Sequence, residues 1–99
     1  MDINVAELKA KLDAKEEFVF IDVREPYEYE EFNLNAELIP LGNIMTAIEK
    51  YGDQKDKEIV LHCRSGQRSG MAQQLMQQAG FSNVRNVTGG VLEWQRQFG

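Results

Sequence analysis

The hydrophobic positions change their period along the chain. Val5, Leu8 and Leu12 fall on one side of a 3.6-residue repeat, and Asn4 followed three residues later by Glu7 is a helix-start signature. A first amphipathic helix is predicted there. The next run, FVFIDV at residues 18–23, is apolar without alternation and rich in β-formers, the pattern of a strand covered on both faces in a parallel sheet. Pro26 interrupts it, and YEYEEF reads as a short acidic helix. ELIPL, residues 37–41, predicts a short strand that Pro40, lacking an amide donor, pushes to a sheet edge or strand end. NIMTAIEKY, residues 43–51, reads as a helix closed by Gly52, with DQKDK as a solvated turn. EIVLH, residues 58–62, is the clearest central strand. Beyond it Met71, Ala72, Leu75, Met76 and Ala79 recur at helical spacing with Gly80 as the stop, NVRNV reads as a short strand, and VLEWQRQF as a last helix. Val91, Trp94 and Phe98 share a face of that helix, which reads as core packing.

Strands alternating with helices predict an α/β fold: a single compact domain over residues 1–99, with a mostly parallel central sheet flanked by helices on both faces. Ninety-nine residues, 42% of them hydrophobic, suffice for one domain. The 16 acidic against 11 basic residues give a polyanion no long-range attraction, so nucleic acid is not an expected partner. The N-terminal stretch is charged throughout, and no segment approaches the roughly 20 apolar residues of a membrane span. No membrane contact and a cytoplasmic location are the expectation.

The chain has one cysteine, Cys63, and one histidine, His62, which excludes an internal disulfide and matches no structural zinc spacing. A free thiol with no metal and no cofactor is expected. Cys63 stands where the strand EIVLH runs out, and binding crevices of open α/β sheets lie at the carboxyl ends of their strands. In LHCRSGQRSG, residues 61–70, Gly66 permits a tight loop whose amides turn inward as an anion-binding nest. The positive end of the following helix and the guanidinium groups of Arg64 and Arg68 would all favour a thiolate. The plainer alternative makes Cys63 a small hydrophobe ending a core strand. Two arginines, two serines and a glycine immediately behind it argue for chemistry instead.

These residues resemble the single-domain rhodaneses, which are sulfurtransferases. The resemblance spans nearly the whole chain, through IDVREPYEYEEF at 21–32, IVLHCRSGQRS at 59–69, AQQLMQQAGF and VTGGVLEW at 87–94. CRSGQRS is close to the usual form of that family's active loop. Cys63 to Arg68 counts as C-x4-R, which resembles the sulfur-transferring branch. Related phosphatases and arsenate reductases carry a loop one residue longer, and a shorter ring of amides suits a sulfur atom better than a phosphate. The segment Asn33, Leu34, Asn35, Ala36 and Glu37 departs from the family, where a histidine and a glycine are usual. That departure bears on contacts at the mouth of the site and on substrate choice.

The resemblance implies transfer of sulfane sulfur from thiosulfate or a related small anion, through a Cys63 persulfide, to cyanide or a thiol. Arg64 and Arg68 would bind the donor's sulfonate, and the amides of Ser65, Gly66, Gln67 and Arg68 would hold the outer sulfur. Asp22 and Arg24 would support the loop or serve structure alone. Gly89 and Gly90 would allow close backbone approach, and His62, on the opposite side of the strand from the nucleophile, would be a packed histidine. With no second cysteine the acceptor must come from outside, and it could be the thiol of another protein. Two alternatives stay open: a persulfide carrier serving a protein partner, and a phosphatase-like oxyanion hydrolase.

Overall fold

A computed structural model describes residues 1–99. Helix α1 (Val5–Asp13) begins with the predicted capping box: the Asn4 carboxamide accepts the Glu7 amide at 2.8 Å while the Glu7 carboxylate accepts the Asn4 amide at 3.0 Å. Strand β1 (Val19–Asp22) leads to helix α2 (Pro26–Glu31), whose first residue is the proline that could not continue a strand. Strand β2 (Glu37–Leu38) is short, and Pro40 ends it and caps a 3₁₀ turn, Leu41–Asn43, that runs into helix α3 (Ile44–Lys50). Strand β3 (Ile59–His62), helix α4 (Gln67–Gln78), strand β4 (Val84–Asn86) and helix α5 (Gly90–Phe98) complete the order.

All pairings in the four-stranded sheet are parallel, in the order β2-β1-β3-β4. The strand that ends before Pro40 lies on an edge and IVLH in the interior, where each of its residues can donate. Ile3 bridges Val87 in parallel, so the segment before α1 extends the β4 side.

Residues on the two faces of β1 and β3 supply two separate cores. Ile21, Ile59, Leu61 and Cys63 pack with Ile44, Ala47, Ala72 and Met76 of α3 and α4. Val60 and Val87 pack with Val5 and Leu8 of α1, with Trp94 of α5 against them. Helices thus cover both faces, and each fully buried aliphatic side chain contributes roughly 1.5–3 kcal/mol. No helix is long and apolar enough to cross a membrane.

Three details differ from the reading of the sequence. Helix α4 starts four residues before Met71, inside the CRSGQRS motif, and it turns Ser69, Ala72 and Met76 inward. Met71 and Leu75, which share the helical spacing of the apolar set, are exposed. Helical spacing alone left the register of that face open, and the small Ser69 and Ala72, not the larger Met71, are what fit closely beside β3 and β4. Gly52 follows α3 without a left-handed turn, the cap being Tyr51, whose amide donates to the Ala47 carbonyl. Phe98 is also exposed, stacked edge-on against Trp94 at 4.9 Å rather than buried.

Candidate active site

The strand order makes the site. β1 connects outward to β2 and β3 to β4 in the opposite direction, so the crevice at the carboxyl ends of β1 and β3 is a topological switch point. Cys63 is the first residue past β3, and Val23 and Arg24 follow β1 beside it. The loop from Cys63 closes into α4 within four residues because Gly66 adopts φ +101°, a left-handed conformation that a side chain resists.

That turn points donors at the sulfur. The Gly66 amide reaches Cys63 Sγ at 3.1 Å and the Ser69 amide at 3.4 Å, with the Ser69 hydroxyl at 3.3 Å. Cys63 is only 1% exposed, and burial pushes its thiol up. Against this act the Ser69 hydroxyl and amide, then the amides of Gly66 and Ser65, and the thiol ends below its ordinary value. The sulfur is therefore buried at the edge of the apolar core and yet meets donors from Gly66 and Ser69.

The predicted site residues separate on inspection. The leading pulls on the thiol are hydrogen bonds rather than guanidinium charge. Arg68 is bound to Glu28 of α2 by two hydrogen bonds, 2.7 and 2.9 Å, and Arg64 is exposed and makes no ion pair. Of the four loop amides expected to hold the outer sulfur, that of Gly66 donates to Sγ itself and that of Ser65 helps lower the thiol. Those of Gln67 and Arg68 do not reach Sγ and, as first-turn donors of α4, have no backbone partner. Ser69, the last residue of CRSGQRS and given no separate role in the expected site, contributes two donors. Its pattern signal was present: a serine one turn into a helix that begins beside the thiol.

Asp22 and Arg24 make no hydrogen bond to the catalytic loop. The buried Arg24 guanidinium holds the Asp22 carboxylate at 2.8–3.1 Å and donates to the Phe32 carbonyl at 2.6 Å, tying the end of β1 to the end of α2. Arg24 also lines the cleft beside the loop. His62 is fully buried against Phe20, ring centroids 5.2 Å apart, with Nε2 3.6 Å from the nearer Asp22 oxygen and without a hydrogen-bond partner. Burial lowers its pKa, outweighing the attraction of Asp22, so it stays neutral.

Gly90 permits the close backbone approach expected beside the site, whereas a Cβ at Gly89 would meet the Glu93 side chain of its own helix. The Gly90 Cα packs against the Cys63 and Arg64 carbonyls, which accept the Val91 and Leu92 amides at 3.0 Å each, so α5 is stitched to the loop through backbone alone. Beside the loop lies a cleft of about 310 Å³ that Arg64, Tyr27, Glu28, Glu31, Leu92 and Gln95 help to line. Asn33, Leu34 and Asn35, the segment expected to alter the mouth of the site, line a different hollow with Leu12 and Trp94.

Two predictions arise here. Ser69→Ala is expected to raise the thiol midpoint by about one pH unit, since a hydrogen bond to a charged group is worth roughly 1.5–3 kcal/mol, and the pH dependence of iodoacetamide alkylation measures it. The second concerns Glu28, whose hydrogen bonds from Arg68 hold its carboxyl down from 4.5 to about 2. A carboxyl depressed in the folded state stabilises above its unfolded value and loses that contribution as pH falls. Denaturant unfolding of wild type and Glu28→Gln should therefore differ above pH 4.5, and the difference should fade toward pH 2.

The site is thus a lone thiol under inward-turned amides at the switch point of a parallel α/β sheet. Comparisons with known proteins place the chain in a family. The model of the rhodanese-like domain matches residues 4–97. YtwF of Bacillus subtilis, which bears a provisional sulfurtransferase name, is 41% identical over 95 residues, covering 95% of this chain and 89% of its own. The tRNA uridine(34) hydroxylase of an Enterobacter species is 36% identical over 100 residues, and this chain spans 28% of that protein's length. The crystal structure of a rhodanese-like domain protein from Staphylococcus aureus superposes with a TM-score of 0.82 at 29% identity, covering 95% of this chain and 91% of that one. The chain belongs to the rhodanese-like family of sulfurtransferases and sulfur carriers.

Proposed function

We propose that the protein is a thiosulfate sulfurtransferase, working by a two-step covalent exchange at Cys63. The Cys63 thiolate attacks the outer sulfur of thiosulfate. A new S–S bond forms at Sγ as the donor's own S–S bond breaks, and sulfite departs with the electron pair. The persulfide's charge then rests on its outer sulfur, near the unpartnered amides of Gln67 and Arg68. Cyanide or a thiolate attacks that sulfur, and the Cys63 thiolate leaves. Arg64, without a competing carboxylate, meets the donor's sulfonate in this reading, and Arg68 has the lesser part because Glu28 already engages it.

The observation that carries the reading is the set of N–H and O–H donors around Sγ, which favours a sulfur anion over a neutral thiol. Thiosulfate should add one sulfur atom, a gain of about 32 Da by mass spectrometry, as expected for a covalent intermediate. Cyanide should then return the original mass with release of thiocyanate. A protein that gains no mass would sink the proposal. Adduct formation without sustained thiocyanate release would point to a persulfide carrier, and phosphate release from an aryl phosphate to a hydrolase.

A further inference from the structure

The Ser69 hydroxyl has more acceptors than it has protons. Its Oγ lies 3.3 Å from Cys63 Sγ and 2.5 Å from the Asn86 side-chain oxygen, and Ser69 is fully buried, so water supplies no alternative partner. The orientation of the Asn86 carboxamide is settled by its other end, where Nδ2 donates to the Gly66 carbonyl at 3.0 Å; turned over, it would set oxygen against oxygen. Oδ1 is therefore the atom facing Ser69, and it can only accept. While Cys63 is a neutral thiol every group is satisfied, with S–H donating to Oγ and O–H donating to Oδ1. When Cys63 loses its proton to solvent, the hydroxyl keeps its own and must choose. Donation to the thiolate leaves two oxygens facing each other at 2.5 Å without a hydrogen between them. Donation to Asn86 withdraws one donor from the thiolate.

We propose that Asn86 of β4 is a positioning residue that restrains ionisation of Cys63 by competing with its sulfur for the single proton of the Ser69 hydroxyl. On the sulfur-transfer reading, with which this inference connects, the hydroxyl turns toward Sγ as a thiolate and back to Asn86 once Sγ is the neutral inner sulfur of a persulfide. It turns to Sγ again as that sulfur leaves.

The experiment compares iodoacetamide alkylation against pH in four proteins: wild type, Asn86→Leu, Ser69→Ala and the double variant. In the Ser69→Ala background the Asn86 substitution reports only the loss of the Gly66 contact. With Ser69 present, the same substitution should shift the thiol midpoint lower than that by about half a unit or more, a threefold change in ionisation constant. Equal shifts in the two backgrounds, or a higher relative midpoint with Ser69 present, would overturn the inference. Should Asn86→Leu not fold, the side-chain amide resonances of Asn86 serve instead. They should move at the thiol midpoint in wild type and move less than half as far in Ser69→Ala, and undiminished movement there would count against the coupling. Neither readout uses a sulfur donor, so a protein that alkylates as described but takes no sulfur from thiosulfate fails the transfer reading and retains this one.

Discussion

Cys63→Ser should fold with nearly unchanged stability and lose thiocyanate formation by at least about 10³-fold, together with the sulfur adduct. Serine is close in size, and the same amides of Gly66 and Ser69 can hydrogen-bond its hydroxyl, so no polar atom is orphaned in the buried site. The chemistry does not survive the exchange. The donors that lower the pKa of a thiol fall far short of ionising an alcohol, and an oxygen nucleophile does not form the S–S linkage that carries the transferred atom. Mass spectrometry and thiocyanate release read the two halves separately. An adduct of undiminished yield on the serine variant would mean that the transferred sulfur resides elsewhere.

The second large effect is predicted at a position with no functional group. Gly90→Ala should destabilise the protein by about 3 kcal/mol or more, a fall in Tm of about 12 °C or more for a domain of this size. Gly90 has φ +55°, which costs an alanine about 1–2 kcal/mol. The larger obstacle is contact, since a Cβ there would lie 2.5 Å from the Cys63 carbonyl oxygen and 2.6 Å from that of Arg64. Both obstructing atoms are backbone and cannot step aside as a side chain would. Relief requires α5 to move off the loop, breaking the Val91 and Leu92 hydrogen bonds and loosening the turn that aims the amides at Sγ. The folded fraction should therefore also show a raised thiol midpoint. Gly42→Ala, where an added Cβ meets nothing within 4 Å, is the control and should leave Tm almost unaltered. Thermal unfolding of the two variants side by side decides the matter.

Local signals carried the reading of the sequence a long way. The Asn4–Glu7 capping box, the edge placement of the segment before Pro40 and the interior placement of IVLH all depend on groups a few residues apart, and each formed as predicted, while α2 begins at Pro26, one residue before the expected helix. The cysteine loop was legible for the same reason: Gly66 and the start of α4 lie within four residues of Cys63. The inward face of α4 was not legible, because Met71 and Ala72 are equally compatible with helical spacing and only the shape of β3 and β4 opposite them selects Ala72. The engagement of Arg68 by Glu28 spans forty residues of chain, and the motif shows the arginine without its partner.

By itself the sequence determined the order of elements, the parallel sheet and the presence of a loop able to enclose a sulfur atom, since these follow from periodicity, caps and conformationally restricted residues that act over one or two turns. Only the tertiary structure decided which donors meet that sulfur, that hydrogen bonds rather than arginine charge lead in lowering its pKa, and that Asn86 and Gly90 stand behind the loop. The contacts of Asn86 and α5 reach the Cys63 loop and the start of α4 across seventeen or more residues, and hydrogen bonds act over about 3 Å, so the close return of the chain creates them and no local pattern encodes them.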